Sequence, residues 1–238
     1  DINDLSATPT KLTAFDGAED DEFGVSVATT DDKIIVGASG DDDKGTNSGS
    51  VYVYDANNLS ATPTKLTAFD GAASDNFGNS VAATSDKIIV GAQSDDDNGS
   101  ASGSVYVYDA NNLSAQPTKL TAFDGAASDN FGNSVAATSD KIAVGAYGDD
   151  QIGAVYVYDA NDLSAQPTKL TAFDGADNDK FGWSIAATAD KIIVSARQDD
   201  DNGTDSGSVY VYDATDLSAQ PTKLTAFDGA ASDRFGHS

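Results

Sequence analysis

Short apolar runs separated by polar turn residues dominate this chain. In one representative stretch, residues 77–130, the apolar runs lie at 80–84, 87–92, 104–108 and 118–123. Each run is bounded by Gly, Asp, Ser, Asn or Pro, which are the residues that favour turns. Apolar runs of this length between turn residues are typical of β-strands, so the stretch predicts four short strands joined by loops.

Two of these predicted strands carry bulky side chains on both faces. Ile88, Ile89 and Val90 form a continuous apolar run, and residues 105–108 read Val-Tyr-Val-Tyr. A sheet that packs on one side only would alternate apolar with polar residues. The pattern therefore predicts sheets that neighbouring sheets cover on both faces.

The four-strand pattern repeats along the whole chain. The same run of residues opens at five leucines, with spacings of 54, 54, 50 and 54 residues: Leu5, Leu59, Leu113, Leu163 and Leu217. A period near 50 residues matches the four strands of one propeller blade, and it is too long for a leucine-rich repeat or a helix pair. The repeat predicts an all-β chain built from four-stranded antiparallel units.

Each unit also carries a constant set of motifs. A Phe-Gly pair is followed by Val-Gly-Ala or Val-Ser-Ala, and then by Val-Tyr-Val-Tyr. The pairs lie at residues 23–24, 77–78, 131–132 and 181–182. This series resembles the FG-GAP repeat of integrin-type β-propellers, in the short-loop form of bacterial surface and secreted proteins. The resemblance implies a β-propeller, an extracellular or cell-surface setting, and a role in adhesion, ligand binding or carbohydrate binding.

One feature of the integrin form is missing. In that form a calcium loop of the Asp-x-Asp-x-Asp-Gly kind joins the first and second strands of a blade. Here the same link reads only Thr-Ser-Asp-Lys at residues 84–87. The calcium ligands of the family therefore have no counterparts in this sequence.

The Phe-Gly pairs divide the chain into blades when the Phe-Gly strand is taken as the innermost. Complete blades are predicted at residues 23–76, 77–130, 131–180 and 181–234. Residues 1–22 are predicted to hold the outer strand of a preceding blade, at 10–15, and a link; residues 235–238 are predicted to start a further blade. Either the chain is an excerpt of a longer propeller, or a neighbouring molecule completes its ends, because unpaired sheet edges invite pairing.

Composition narrows the classes of partner. The formal net charge is −26, and of 39 acidic residues only Glu19 and Glu22 are Glu, so Asp supplies the rest. Such a charge repels phosphate backbones and anionic lipids, which argues against nucleic-acid binding and membrane insertion. Cations, basic proteins and neutral sugars remain as partners. The absence of Cys excludes disulfides, thiolate metal sites and Cys nucleophiles.

The aspartates concentrate in two kinds of loop that alternate strand direction brings to one end of the blades. These are the loops between second and third strands and the links between blades, and together they predict an acidic rim. The lysines that start second and fourth strands are predicted at the opposite rim: Lys33, Lys87, Lys141 and Lys191, with Lys11, Lys65, Lys119, Lys169 and Lys223.

Clustered Asp side chains with turn carbonyls are suited to calcium, which takes six to eight oxygen ligands. The candidate ligands are Asp21, Asp41, Asp43, Asp75, Asp95, Asp97, Asp129, Asp149, Asp179, Asp199 and Asp201. Link and loop aspartates are expected to meet in pairs, such as Asp75 with Asp95. The alternative is that these residues form Asx turns and keep the surface solvated.

Few other residues suggest chemistry. Trp183 and Tyr147 break the repeat and are candidate platforms for stacking a sugar ring. His237 is the only His, so neither a zinc site nor a Ser-His-Asp set is supported, and the chain is predicted not to be an enzyme. The sequence favours an extracellular, calcium-assisted binding or adhesion module with a protein or carbohydrate ligand at the acidic rim. The alternatives are a structural repeat that assembles end to end into a filament or coat, and a lectin.

Overall fold

The computed structural model of the chain describes residues 8–238, which form four small antiparallel sheets. The strands are β1 (Val27–Thr29), β2 (Lys33–Ala38), β3 (Ser50–Asp55), β4 (Thr64–Leu66), β5 (Val81–Ala83), β6 (Lys87–Ala92), β7 (Ser104–Asp109), β8 (Thr118–Leu120), β9 (Val135–Ala137), β10 (Lys141–Ala146), β11 (Ala154–Asp159), β12 (Thr168–Leu170), β13 (Phe181–Ala187), β14 (Lys191–Ala196), β15 (Ser208–Asp213) and β16 (Thr222–Thr225).

Each sheet is a four-stranded meander in chain order, so β1–β4, β5–β8, β9–β12 and β13–β16 are four successive blades. The two middle strands of every blade have six residues, whereas most inner and outer strands have only three. The prediction of four-stranded antiparallel blades is confirmed. Each sheet falls inside one of the four blade ranges that the Phe-Gly pairs define.

The link between the first and second strands is a side-chain-supported turn. In the second blade, the backbone N–H of Lys87 donates to Thr84 Oγ1 at 3.1 Å. The Thr84 hydroxyl in turn donates to Asp86 Oδ1 at 2.8 Å. Because these bonds satisfy the turn without a metal, the Thr-Ser-Asp-Lys link needs no calcium loop to join the two strands.

Successive blades pack face to face, and their inner strands β1, β5, β9 and β13 contact one another in series. We call the interface between two successive blades a joint. In the joint between the first and second blades, Val51 and Leu66 of one blade pack with Phe77, Val90 and Tyr106 of the next. All five side chains are at most 6% exposed. The continuous apolar runs are therefore explained by burial on both faces of the sheet.

The Phe-Gly pair seals each joint between blades. Phe77 is fully buried and packs edge to face against Tyr106, with ring centroids 5.3 Å apart. Gly78 has φ +89° and lies so close to the preceding blade that a Cβ there would be 2.5 Å from the carbonyl oxygen of Ser50. Only glycine accepts this backbone conformation and this approach without strain.

Gly91 shows the same tight fit toward the following blade. A Cβ on Gly91 would lie 2.0 Å from the Gly132 carbonyl oxygen and 2.3 Å from Ser80 Oγ. The Ser80 hydroxyl donates to that same carbonyl at 2.8 Å. The inner strand of one blade is thus hydrogen-bonded to the next across a gap that has no room for a side chain.

The two ends differ from the prediction. Residues 10–15, predicted as an outer strand, form no strand, since residues 8–22 offer them no third strand to pair with. Leu12 and Ala14 instead pack on Tyr52 and Tyr54 of the first blade. Residues 1–7 of the predicted segment 1–22 lie outside the described residues. Residues 235–238 likewise form no strand, although the Phe235 N–H donates to the Ser206 carbonyl at 2.8 Å.

Helix is nearly absent from residues 8–238. The helical segment described there is one 3-10 turn, Asp149–Gln151, in the shortened loop of the third blade. Within the same residues, no helix has the length and apolar character that crossing a membrane requires.

Candidate functional site

The acidic loops and blade links meet, as the strand directions predict, on one rim of the blades. In the second blade, Asp70 comes from the link before the blade and Asp95 from the loop after β6. The hydroxyl of Tyr106 lies 2.8 Å from Asp70 Oδ1 and 3.0 Å from Asp95 Oδ2. Because Asp70 follows the outer strand of the first blade, this contact ties two consecutive blades together.

A lysine lies at the centre of these carboxylates. Lys119 Nζ is 2.8 Å from Asp70 Oδ2, 3.0 Å from Asp95 Oδ2 and 2.6 Å from Asp97 Oδ2. It also lies 5.3 Å from the ring centroid of Tyr106, within the range of a cation-π contact. We call these five residues an Asp-Lys-Tyr cluster.

The other blades contain the same cluster. Its members are Asp16, Asp41, Asp43, Tyr52 and Lys65 in the first blade, Asp124, Asp149, Tyr156 and Lys169 in the third, and Asp174, Asp199, Asp201, Tyr210 and Lys223 in the fourth. The third blade has one carboxylate fewer because its loop is shorter.

The prediction that the fourth-strand lysines lie at the opposite rim is therefore wrong for Lys65, Lys119, Lys169 and Lys223. Lys119 pairs with Tyr106 in the sheet register, only one residue before β8 ends. From that position its four-carbon side chain extends along the strand to the rim. Lys33 and Lys87 do begin second strands away from the clusters, where they pair with the adjacent Asp32 and Asp86.

Charge pairing outweighs burial in these clusters. Burial disfavours the charged form of Asp70, but hydrogen bonds from Lys119 and Tyr106 hold the pKa of Asp70 below its usual value. Burial also opposes the charge on Lys119, and the three carboxylates nevertheless raise the pKa of its ammonium group. The pKa of Tyr106 is raised by burial and by the two carboxylates. The contacts in this cluster therefore favour the charged forms of Asp70 and Lys119 and the neutral form of Tyr106.

The aspartate two residues before each Phe-Gly pair has a different environment. Asp75 is 5% exposed, and its Oδ2 accepts a hydrogen bond from the Ala72 N–H at 2.7 Å, which closes the blade link. Its backbone carbonyl accepts from the Ser94 N–H at 3.3 Å, so Asp75 lies beside the loop of Asp95. Burial, with the nearby charge of Asp95, raises the pKa of Asp75. The carboxylates of Asp21, Asp129 and Asp179 accept the equivalent hydrogen bond at Oδ2, from the backbone N–H groups of Ala18, Ala126 and Ala176.

The loop aspartates also form turns. Asp95 Oδ1 accepts from the Asp97 N–H at 3.1 Å, and Asp96 Oδ1 accepts from the Ala101 N–H at 2.7 Å. In the part of the chain that the structure describes, no three His, Cys, Asp or Glu side chains are arranged to hold a metal ion. The eleven candidate calcium ligands bond instead to lysine, tyrosine and backbone groups.

A cleft of about 950 Å³ lies at the centre of the acidic rim, between the inner strands. Three positions of the repeat lie at or beside it: the residues just before and just after the Phe-Gly pair, and the residue just after the second strand. The members that line the cleft are Glu22, Val25, Ser39, Asn76, Asn79, Gln93, Asn133, Tyr147, Trp183 and His237. Asn130, Lys180, Arg197 and Arg234 occupy the same positions of the repeat beside the lining residues. The second and third blades share Asn at the first two positions, and the other occupants differ. We call this feature the central cleft.

The middle of the central cleft carries linked amide groups. Asn79 Nδ2 donates to the Asn133 carbonyl at 3.1 Å, and Asn133 Nδ2 donates to the Trp183 carbonyl at 2.9 Å. The Gln93 N–H donates to Asn79 Oδ1 at 3.2 Å. Asn133 Oδ1 is buried without a hydrogen-bond partner. These bonds link the inner strands of three successive blades, and the side chain of Gln93 lines the cleft beside them.

The end of the cleft beside the fourth blade has aromatic side chains with cations packed against them. The rings of Tyr147 and Trp183, both predicted as ligand platforms, lie 4.9 Å apart between centroids. Arg197 Cζ lies 3.3 Å from the Trp183 ring centroid, and Lys180 Nζ lies 5.4 Å from that of Tyr147. His237 is 3.3 Å from Arg197 Nη1, between ring nitrogen and guanidinium. One face of Trp183 is therefore already covered by a cation.

Comparison with known proteins decides the family. The model of the FG-GAP repeat matches residues 8–54, 62–108, 115–158 and 165–212, which together cover most of the chain. The chain belongs to the FG-GAP repeat family. Each matched FG-GAP range runs from the outer segment of one unit to the third strand of the next. The family unit thus spans one joint between blades, including the Phe-Gly pair and the Asp-Lys-Tyr cluster tyrosine.

The fold of these FG-GAP blades has a designed counterpart. The crystal structure of the computationally designed Ika4 protein is 16% identical, with a TM-score of 0.51, and the match covers 87% of this chain and 99% of Ika4. At that identity the likeness shows the fold alone. None of the curated proteins matches this chain.

Proposed function

We propose that this chain is an extracellular, non-catalytic binding or adhesion module, and that its protein or carbohydrate ligand binds at the acidic rim, in the central cleft. The setting is the one that integrin-type FG-GAP repeats imply. The observation that carries the proposal is the distribution of differences between repeats. The blades share their core, their joints and their Asp-Lys-Tyr clusters. In contrast, the residue after the second strand differs in all four blades, and the residues on either side of the Phe-Gly pair differ in all but the second and third.

Packing constrains the positions within a blade more strongly than those around the cleft. Positions that hold a blade together accept few side chains, because the joints are closely packed. Positions around an open cleft are free of that constraint, and a ligand is recognised by the side chains that reach it. The cleft combines amides, two aromatic rings and cations, which suits a polar ligand. The net charge of −26 disfavours nucleic acid and anionic membrane surfaces as partners.

The proposal is tested with a blade-swapped variant. Lys180→Asn, Trp183→Asn and Arg197→Gln together give the fourth blade the cleft residues of the second blade, which the same scaffold already accepts. Both proteins are immobilised and probed with a glycan array and a panel of extracellular-matrix proteins. We expect at least one ligand whose affinity falls tenfold or more in the variant. Binding that is absent from both proteins, or equal in both, contradicts the proposal.

Calcium assistance is a separate prediction. Three lysine-paired carboxylates, Asp43, Asp97 and Asp201, are about half exposed, so they are the cluster oxygens most open to a hard cation. A calcium ion at a cluster competes with the ammonium group. We expect calcium to raise the melting temperature relative to a chelator, and to do so more strongly in Lys119→Met, where the ammonium is gone. A melting temperature that calcium leaves unchanged in both proteins contradicts the prediction.

A second candidate function is assembly through the end blades, and the exposure of apolar side chains there favours it. Val27 on the first blade is 67% exposed and Leu224 on the last is 45% exposed, whereas Leu120 and Leu170, which match Leu224, are 6% and 5% exposed. In this candidate function, a blade of a second copy packs on these faces as blades pack on each other within the chain. Light scattering should show concentration-dependent association that Leu224→Lys weakens. A concentration-independent monomer rules this function out.

A further inference from the structure

Two cations that the chain does not pair lie against aromatic rings that line the central cleft. Acidic residues outnumber Lys and Arg by 39 to 13, so an unpaired cation is unexpected. Within residues 8–238, four of the thirteen cations form no salt bridge: Lys11, Lys44, Lys180 and Arg197. Lys180 and Arg197 are the two that lie against the cleft rings of Tyr147 and Trp183.

The environment of Arg197 makes the missing partner more notable. Its Nε is buried and has no hydrogen-bond partner, and its Cζ lies 3.3 Å from the centroid of the Trp183 ring. Burial, with the nearby charge of Arg234, lowers the pKa of Arg197. A guanidinium that is partly withdrawn from water and lies against an aromatic ring favours a carboxylate as its partner.

We propose that the central cleft binds a saccharide unit that carries a single carboxylate. Arg197 and Lys180 receive the carboxylate, and the side-chain amide of Gln93, which lines the cleft, bonds the sugar hydroxyls. The proposal rests on the proposed function, because it names the ligand of that same cleft.

The carboxylates on the rest of the rim limit how many negative charges a ligand can carry. Glu22 lies at the end of the cleft beside the first blade, where the Ser39 hydroxyl donates to Glu22 Oε2 at 2.6 Å. Near the opposite end, Asp205 Oδ2 lies 3.8 Å from Arg234 Nη2. The clusters and loops outside the cleft add further carboxylates. A polyanion would place its remaining charges against this negative surface, whereas a single carboxylate meets only the cationic end. The cleft therefore selects a sugar with one charge over a polyanionic chain.

The chain supplies its own probe for the test, because Trp183 is its only tryptophan. Intrinsic fluorescence and calorimetry are recorded during titration with methyl glucuronide, with methyl glucoside, which has the same ring without the carboxylate, and with acetate. We expect the glucuronide to shift the Trp183 emission and to bind about tenfold more tightly than the glucoside or acetate. Arg197→Gln should remove that preference, and a polygalacturonate chain should bind more weakly per sugar unit.

The matched control is Lys44→Asn, which removes an unpaired cation outside the cleft and installs the residue found at the same place in the second and fourth blades. It should leave the glucuronide affinity unchanged. Equal affinity for glucuronide and glucoside, or full affinity in Arg197→Gln, overturns this proposal while the cleft remains a sugar site. Acetate or an acidic peptide that binds as tightly as the glucuronide overturns the saccharide assignment. No response to the glucuronide in either measurement overturns the proposal outright.

Discussion

The outer and inner parts of the acidic rim differ in how strictly their residues repeat from blade to blade. In the outer part, Tyr106, Lys119 and their aspartates recur in the other blades with nearly the same distances. In the inner part, the residue after the Phe-Gly pair changes from Val25 to Asn79, Asn133 and Trp183. The outer residues bridge consecutive blades, and the inner residues touch an open cleft. Repetition therefore marks the groups that hold the blades together, and variation marks the groups that are free to meet a ligand.

The largest effect that tests this comparison is expected at a cluster lysine. Lys119→Met leaves the buried Asp95 without its cation and should lower the free energy of unfolding by about 3 kcal/mol. Lys87→Met is the matched control, because Lys87 pairs only with an exposed Asp86 and should cost less than about 1 kcal/mol. Chemical denaturation of both variants measures the difference. Similar losses in the two variants would mean that the clusters do not join the blades.

The next effect concerns the joints between blades. Gly91→Ser introduces a side chain whose Cβ would lie 2.0 Å from the Gly132 carbonyl oxygen, and should cost about 2 kcal/mol. The fourth blade carries Ser195 at the corresponding position, so Ser195→Gly is the reverse exchange and should change the stability by less than about 1 kcal/mol. If the two exchanges cost the same, the joint is looser than its geometry indicates.

Two aspartates with opposite pKa shifts separate the roles within the outer rim. The pKa of Asp70 is lowered, so its stabilising contribution is complete above the unfolded value of 3.8 and is lost as the pH falls through the folded value. The pKa of Asp75 is raised, so its ionisation costs stability above the folded value, and that cost disappears on acidification.

Asp70→Asn should therefore lose roughly 1 kcal/mol at pH 7 and less at pH 3, since it gives up a charge-assisted bond from Lys119. Asp75→Asn keeps an oxygen for the Ala72 N–H and should be neutral or stabilising at pH 7, and less favourable at pH 3. Unfolding free energies at the two pH values measure both. The same pH trend in the two variants would show that Lys119 does not distinguish them.

The smallest change in stability is expected in the cleft. Lys180→Asn with Arg197→Gln should alter the free energy of unfolding by only about 0.5 kcal/mol, because neither cation has a salt bridge in residues 8–238. The emission of Trp183 should nevertheless change, since Arg197 no longer covers its ring. A loss as large as that of Gly91→Ser would place these residues with the scaffold.

Much of the fold is predictable from the sequence, because short runs such as Ile88 to Val90 and the Val-Tyr-Val-Tyr segment have few other ways to be buried on both faces. The end segments were less predictable. Residues 10–15 have the same sequence pattern as the outer strands of the blades. A strand needs a neighbouring strand to pair with, and residues 8–22 contain none.

The site was predictable only in part. The meeting of loops and links follows from strand direction, but the position of Lys119 depends on register and on the reach of a flexible side chain, neither of which the residue order contains. Tyr147 and Trp183 stand out as aromatic exceptions. Arg197 and Lys180 are not singled out in the sequence analysis. They occupy the same positions of the repeat as Tyr147 and Asn130, so comparing the repeats position by position would identify them as exceptions.

The cluster of each blade draws one aspartate from the link before it, and the joints otherwise involve only adjoining blades. Interactions limited to immediate neighbours make the stability of such an array approximately additive over its units. A gene duplication that copies one fifty-residue unit thus copies both halves of a joint together. Blade number can change over evolutionary time without new compensating substitutions, while the residues around the opening diverge independently.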